Sequence, residues 1–287
     1  MNTADHHPSI RTVGIVYQQH SEAAVALAQQ LLARFRAEGR EAWSTPGRHE
    51  HDADDQIRRT QLVLVLGGDG SLISAARFCA PLGVPLLGIN FGRVGFLTEL
   101  EPEEVDEKLP LYLEGAYWMD ERSMLRGELE DDPQRAEYLA LNDIVMVRGA
   151  EPRIIRIRVW VDSHSYNTTV ADGIIVSTAT GSTAYNLAAG GPILHPQVRS
   201  NVLTPIAPHL VADRSLILEP GAVITLELQP GADGAVLSAD GQINRDLPAG
   251  ARVRITTSEH ITRFLRRRSP TNFYRILSAK LRDNLAD

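Results

Sequence analysis

Leu62-Val63-Leu64-Val65-Leu66-Gly67-Gly68-Asp69-Gly70-Ser71-Leu72 decides the fold class, because an unbroken apolar run empties into three glycines with a single carboxylate among them. A run without polar alternation is a strand buried on both faces, as strands are in a parallel sheet covered by helices. The glycines allow positive φ and let a ligand approach the backbone amides without meeting a Cβ. The apolar period resuming at Leu72 marks a helix start, which favours anions. A carboxylate there repels phosphate unless a metal or a proton transfer gives it a task.

The neighbouring segments repeat the same alternation. Thr12-Val13-Gly14-Ile15-Val16-Tyr17 reads as a buried strand, and Glu22 to Glu38 carries Val25, Leu27, Leu31, Leu32 and Phe35 at helical spacing before Gly39 closes it. Arg48 to Arg59 is polar and reads as a loop with a short helix. A helix from Ser71 to Ala80, a turn at Pro81-Leu82-Gly83 and a third strand, Pro85-Leu86-Leu87-Gly88-Ile89-Asn90, complete an α/β N-terminal domain with a parallel sheet. After Leu113-Glu114-Gly115 the texture changes. Glu137 to Asn142, Ile155 to Val161, Ser215 to Leu218, Ala222 to Leu228 and Ala251 to Thr256 are short and β-rich, separated by Pro220-Gly221, Pro230-Gly231 and Pro248-Ala249-Gly250, the punctuation of an antiparallel β domain. Phe273 to Leu285 returns to helical spacing. The expectation is an α/β domain over residues 1–118, an all-β-rich C-terminal domain over 119–269, and a C-terminal helix, 270–287, packing back on the first domain.

Length and charge narrow the function. A chain of 287 residues is long enough for two cores. Its formal net charge of −7 argues against a general affinity for nucleic acid, which rests on a basic footprint. The run Arg263-Phe264-Leu265-Arg266-Arg267-Arg268 is then a solvated or subunit-facing strand edge rather than a polyanion site. The one cysteine, Cys79, cannot form an intrachain disulfide, and there is neither a signal-peptide core nor an apolar run of spanning length. A cytoplasmic protein with no membrane association is the expectation. His6-His7 and His49-Glu50-His51 lie in polar segments and read as solvated, not as zinc ligands.

Several clusters carry chemistry. Asp69 either caps the following helix or accepts a proton from an attacking hydroxyl in phosphoryl transfer; no Lys-Ser/Thr pair follows the glycines, which excludes an ordinary P-loop. Beyond the third strand lies Asn90-Phe91-Gly92-Arg93-Val94-Gly95-Phe96-Leu97, at a strand end where open α/β sheets bind ligands. Asn142-Asp143 offers an amide and a carboxylate that together can grip ribose hydroxyls, although on these residues alone an Asx-type turn is the favoured reading. The stretch from Asp172 to Pro192 delivers Ser177-Thr178-Ala179-Thr180-Gly181-Ser182-Thr183-Ala184-Tyr185-Asn186-Leu187-Ala188 from a strand into a helix. Its hydroxyls, exposed amides and one aromatic ring suit a nucleotide. Asp240-Gly241 reads as a hairpin turn that leaves Gln242 facing the site.

In this order and at these separations the motifs resemble the NAD kinase family. The likeness runs through Gly67-Gly68-Asp69-Gly70, Gly88-Ile89-Asn90 with Gly95-Phe96-Leu97-Thr98, Asn142-Asp143, the Asp172 to Pro192 run and Asp240-Gly241-Gln242. Thr180-Gly181-Ser182-Thr183-Ala184-Tyr185 is its most specific part. The resemblance implies phosphorylation of the 2′-hydroxyl of the adenosine ribose of NAD by ATP, with Asp69 as proton acceptor and Gly67, Gly68 and Gly70 lining the loop. It further implies that Asn142 and Asp143 hold ribose hydroxyls, and that Asp172 with Thr183, Ala184, Tyr185, Asn186, Leu187 and Ala188 binds the nucleotide. Gln242 lies nearby, and Arg153 stands where members often have a basic ligand. Asp143 replaces the glutamate of many members and Ala179 the proline of many; neither removes a functional group. The same resemblance implies a divalent metal, magnesium, in the glycine loop, NAD across the cleft between the domains, and a homo-oligomer, dimer or tetramer, whose neighbouring subunits complete sites. A lipid kinase shares the glycine loop without calling for the Thr180 to Tyr185 turn. A dinucleotide sensor would keep the binding loops and dispense with Asp69.

Overall fold

The computed structural model describes residues 7–47, 54–133, 135–149, 153–209, 214–231 and 234–283; His6 and His49-Glu50-His51 lie outside them. The chain forms two compact units, Met1–Glu121 with Thr262–Asp287, and Arg122–Ile261. Contact thus divides the chain at 121/122 and 261/262, where composition suggests 118/119 and 269/270. The later part of the last strand belongs to the first unit because Phe264 pairs with Leu86 there.

The first unit begins with β1 (Thr12–Tyr17), α1 (Glu22–Ala37), β2 (Glu41–Pro46), α2 (Asp54–Arg58), β3 (Leu62–Gly67), α3 (Asp69–Cys79), β4 (Leu86–Asn90) and α4 (Val105–Leu113). Its strands lie in the order β2-β1-β3-β4, all parallel. Every residue of β3 and β4 is buried, as the unbroken apolar runs require. Ser21 starts α1 by accepting the Ala24 N–H on Oγ, and Ala24, Ala28, Leu31 and Phe35 form its buried stripe. Sequence periodicity passes over β2, since of Glu41-Ala42-Trp43-Ser44-Thr45-Pro46 only Trp43 is buried. That residue is what the edge strand contributes. Its indole lies over Gly14, where a Cβ would fall 2.3 Å from Cζ2, and its Nε1 donates to Thr60 Oγ1 at 2.8 Å.

The second unit is built from most of β5 (Trp118–Leu129), β6 (Glu137–Ala140), β7 (Asp143–Arg148), β8 (Ile155–Val161), β9 (His164–Ala171), β10 (Gly173–Ser177), α5 (Tyr185–Ala188), β11 (Asn201–Ile206), β12 (Leu216–Leu218), β13 (Ile224–Leu228), β14 (Ala235–Ala239), β15 (Ile243–Leu247) and most of β16 (Arg252–Arg266). One sheet has the order β12-β11-β10-β7-β14-β15, and a second path runs β16-β13-β8-β9; the pairings within both are antiparallel. Ile144, Met146, Ile174, Val176 and Leu237 of the first sheet share one core with Ile155, Ile157, Val159, Leu226 and Ile255 of the second. In β8 these residues alternate with Arg156, Arg158 and Trp160, the period of a half-buried strand. The helix expected after Thr183 is the single turn α5, preceded by a 3₁₀ turn at Gly181–Thr183. Gly190, with a φ of +82°, ends it.

The chain closes with α6 (Asn272–Asp283), which packs on the first unit. The Phe273 ring lies 5.8 Å from that of Phe96, and Lys280 Nζ sits 5.2 Å from the Phe96 centroid. Ahead of it, the arginines of the basic run are consumed internally. Arg263 pairs with Glu121 at 3.1 Å and Arg268 with Glu104 at 3.2 Å. Arg266 is buried between Asp120 at 3.3 Å and Glu99 at 3.4 Å. Glu99 also accepts the Tyr112 hydroxyl and the backbone N–H groups of Arg267 and Arg268. Replacing Arg266 by Met strands two buried carboxylates, so the expected loss is about 3–5 kcal/mol in chemical denaturation; a loss below about 1 kcal/mol, the scale of an exposed pair, would show that the network does not hold this end of the unit.

Candidate active site

The glycine loop does not use its carboxylate as a cap. Gly68 occupies the extended N-cap position of α3 without a side-chain bond, and Asp69 is the first helical residue. Its carboxylate turns to the segment after β4, where Oδ2 accepts the Phe96 N–H at 2.8 Å and Oδ1 the Leu97 N–H at 3.0 Å. Charge-assisted bonds to two successive amides fix both oxygens. The approach is possible because residue 95 is glycine: a Cβ there would fall 2.0 Å from Asp69 Oδ1. The same segment is held on its carbonyl side by Arg266, whose Nη1 donates to Leu97 O at 2.9 Å and Thr98 O at 3.2 Å. Asn90 turns inward, donating to the Glu101 carboxylate and accepting the Gly92 N–H. Arg93 and Gly70 are exposed.

In the second unit, Asn142-Asp143 joins β6 to β7 and is held from two sides. On one, the Thr178 N–H donates to Asn142 O at 2.8 Å and Thr178 Oγ1 to Leu141 O at 2.6 Å. Thr178 Oγ1 also accepts the Gly181 N–H at 3.0 Å. Gly181 is required there, since a Cβ would stand 2.1 Å from Asn142 O. On the other side is Asp240. Its Oδ2 accepts the Leu141 N–H at 3.0 Å, and its Oδ1 accepts the N–H groups of Asn142 at 2.7 Å and Asp143 at 3.2 Å. Asp143 is 4% exposed, and burial, reinforced by the charge of Asp240, pushes its carboxyl up to about 7.

The hydroxyl-rich turn divides into builders and open positions. Ser182 Oγ donates to Ala179 O at 2.7 Å and accepts the Leu194 N–H at 3.0 Å. Asn186 is fully buried; its Nδ2 donates to Ser182 O and Pro192 O, and its Oδ1 accepts the Thr204 hydroxyl at 2.7 Å. The Asn186 amide is thus spent inside the fold. Tyr185 and Ala188 are exposed, with Thr183, Ala184 and Leu187 half-buried. Gln242 is exposed on the turn that carries Asp240.

Asp172 stands elsewhere. Ser177 pairs with Asp143 while Gly173 pairs with Val147, so Asp172 lies past the opposite end of the β7/β10 ladder, roughly 15 Å from Asn142-Asp143 at the rise of a strand. There it pairs with Arg148 at 2.9 Å. Arg153, exposed, precedes Ile155, which pairs with Ala171, and so falls at the Asp172 end. Sequence order treats these residues as one nucleotide cluster; the ladder separates them within the chain. The residue that sequence reading undervalues is Asp240, whose Asp-Gly dipeptide is a sufficient signal for a turn and conceals its bonds to amides about a hundred residues earlier.

No group of three or more His, Cys, Asp or Glu side chains among the described residues forms a metal cage. The Cys79 thiol is buried, and burial pushes its ionisation upward, so it offers no thiolate ligand. No described helix is long and apolar enough to cross a membrane.

The buried Asp143 makes ligand-free stability depend on pH. A carboxyl raised from 3.8 to about 7 favours the folded state fully below its unfolded range and loses that contribution as pH rises through about 7. Asp143→Asn is therefore expected to raise the melting temperature of the ligand-free protein near pH 8 and to change it little near pH 4.5. An equal shift at both pH values would refute the assignment.

Comparison with known proteins joins the two halves of this description. Residues 12–117 match the family model of the ATP-NAD kinase N-terminal domain and residues 141–267 that of the ATP-NAD kinase C-terminal domain. The chain is 39% identical over 276 residues to an NAD kinase of Dehalococcoides mccartyi, covering 96% of this chain and 97% of that protein. It is 36% identical over 274 residues to an NAD kinase of Chloroflexus aggregans, covering 95% and 99%. Among solved structures it is similar to yeast NADH kinase complexed with NADH, at a TM-score of 0.81 and 23% identity over 96% of this chain and 90% of that one. It is also similar to an NAD kinase from Archaeoglobus fulgidus in complex with ATP, at 0.75 and 26% over 94% and 98%. The glycine-loop carboxylate in one matched half and the amide–carboxylate pair in the other are carried by a chain that belongs to the NAD kinase family.

Proposed function

We infer that this protein transfers the γ-phosphoryl group of ATP to the 2′-hydroxyl of the adenosine ribose of NAD, giving NADP and ADP. The observation that carries the reading is the Asp69 carboxylate, anchored on both oxygens by the Phe96 and Leu97 amides. Each oxygen keeps acceptor capacity beyond its one amide bond, so the group is fixed in place and able to take the proton of an attacking hydroxyl. Asn142 and Asp143 hold ribose hydroxyls, each of which both donates and accepts. The carboxylate form of Asp143 is the acceptor form. Thr183, Ala184, Tyr185, Leu187 and Ala188 face the nucleotide with Gln242, while Asn186 shapes the turn from within. Asp172 and Arg153, at the far end of the β7/β10 ladder, serve the dinucleotide of a neighbouring copy in a homo-oligomer. Light scattering at working concentration tests that last point, and a monomer would overturn it.

The donor set suits magnesium. Hard oxygen donors and the absence of a protein cage among the described residues fit an ion held mainly by substrate phosphates and waters, with Asp69 as the carboxylate beside it. When bound, the ion neutralises phosphate charge that would otherwise oppose Asp69. The protein is a cytoplasmic enzyme on this reading.

Incubating purified protein with ATP, magnesium and NAD, and reading product with an NADP-specific dehydrogenase, tests the function. NADP is expected; dinucleotide binding without product would indicate a sensor. Asp69→Asn is expected to reduce turnover by about two to four orders of magnitude while the fold persists, and near-native turnover would remove Asp69 as the base. Gly95→Ala displaces the same carboxylate without altering its chemistry, and a fall of about a hundredfold in kcat is expected with a smaller change in KM for NAD. Native kcat in that variant would mean that the anchoring amides do not matter to the reaction.

A further inference from the structure

Between Ala140 at the end of β6 and Asp143 at the start of β7, three successive amides, those of Leu141, Asn142 and Asp143, converge on one carboxylate, that of Asp240. Converging N–H groups form an anion-binding concavity. In this chain the anion is supplied from the turn after β14, nearly a hundred residues later. Asp240 sits at a φ of +54°, in the left-handed region that asparagine and aspartate tolerate better than most side chains. Its own N–H donates to Asp143 O at 2.9 Å, so the contact is reciprocal. With Thr178 taking Leu141 O and Asn142 O, the N–H and C=O groups of residues 141–143 are spoken for on both sides.

We propose that Asp240 is the positioning residue of the dinucleotide site, fixing the backbone of Asn142 and Asp143 so that their side chains meet the ribose hydroxyls in one geometry. The proposal rests on the assignment of Asn142 and Asp143 as ribose ligands. A plain turn residue would need one local bond; Asp240 makes three long-range ones to the segment that carries both ligands.

Asp240 also sets the electrostatic setting of Asp143. The strands that flank β7 carry no ionisable side chain, since β10 is Gly-Ile-Ile-Val-Ser and β14 is Ala-Val-Leu-Ser-Ala. Arg122 of β5 donates to Thr180 Oγ1 at 3.2 Å. Burial is the larger cause that holds the Asp143 carboxyl up, and the charge of Asp240 beside it adds to that opposition to ionisation. NAD binding through the carboxylate form of Asp143 therefore weakens as pH falls, and removing the Asp240 charge moves that fall to lower pH.

The test measures KM for NAD and for ATP between about pH 5 and 9 in Asp240→Asn, Asp240→Ala and, separately, Asn142→Ala. Asp240→Asn keeps one acceptor oxygen for the Asn142 and Asp143 amides and the tolerance for positive φ, but loses the charge and turns an NH2 toward the Leu141 N–H. It is expected to raise KM for NAD about threefold at high pH, less than Asp240→Ala does, and to move the acidic rise in that KM to lower pH. Asp240→Ala is expected to raise KM for NAD about tenfold or more with KM for ATP nearly unchanged. The proposal is overturned if KM for NAD and its pH profile match native in both Asp240 variants, or if KM for ATP rises equally. If Asp240→Ala fails to fold, Asp240→Asn decides: a native KM for NAD at high pH together with an unmoved profile overturns the proposal. Asn142→Ala reads the ligand assignment separately. A raised KM for NAD there with native behaviour at Asp240 sinks only the positioning role, whereas an unchanged KM sinks the ligand assignment.

Discussion

Two amide hydrogen bonds to one carboxylate organise the chemistry of the first unit. Asp69 opens α3, and the Phe96 and Leu97 amides belong to the segment after β4, so the bonds join the C-terminal ends of two neighbouring parallel strands. A charge-assisted bond is about twice as strong as a neutral one, and here two share one rigid group. Their neighbours are shaped to permit them. Gly95 leaves room for the carboxylate, Arg266 restrains the carbonyls of the same peptides, and Phe96 is packed by Phe273 of α6. A catalytic group gains rate from being held where it is needed.

The second unit reaches a comparable result with the charge in the supporting role. Asp240 accepts from the backbone that carries Asn142 and Asp143, while Thr178 and Gly181 close on the carbonyl side. In both units an acidic side chain binds successive backbone N–H groups. In one it is the proposed proton acceptor, and in the other it holds the segment of the proposed ribose ligands. Burying Asp143 beside Asp240 costs ionisation and makes its state sensitive to what lies against it.

What was legible in the sequence is what depends on local pattern. The Leu62 to Leu66 run, the glycines after it and the stripe of α1 each carry their structure in adjacent residues, and β8 and β14 of the second unit alternate as half-buried strands do. The family resemblance rested on motif order, which survives folding, and the family comparisons agree with it. Less legible were features decided at long range. Trp43 makes β2 a strand by covering Gly14, a contact no periodicity encodes. Asp172 and Asn142 are near in motif order yet stand at opposite ends of a ladder, because β7 and β10 are antiparallel. Asn186 looked like a nucleotide ligand by its neighbours, whereas its amide is satisfied within the turn. Asp240 looked like a turn because its turn is real.

Arg266 gives the first unit an order of assembly during synthesis. The glycine loop and the amides that anchor Asp69 are translated before the second unit, but the guanidinium that restrains those peptides arrives after it, on β16, and the helix that packs on Phe96 arrives later still. Domains tend to fold as units once their sequence is available, and this unit is unavailable until the ribosome has passed through the whole of the other. A chain interrupted after the second unit would therefore carry every residue of the nucleotide motifs without the Arg266 and α6 contacts that hold the Asp69 anchor.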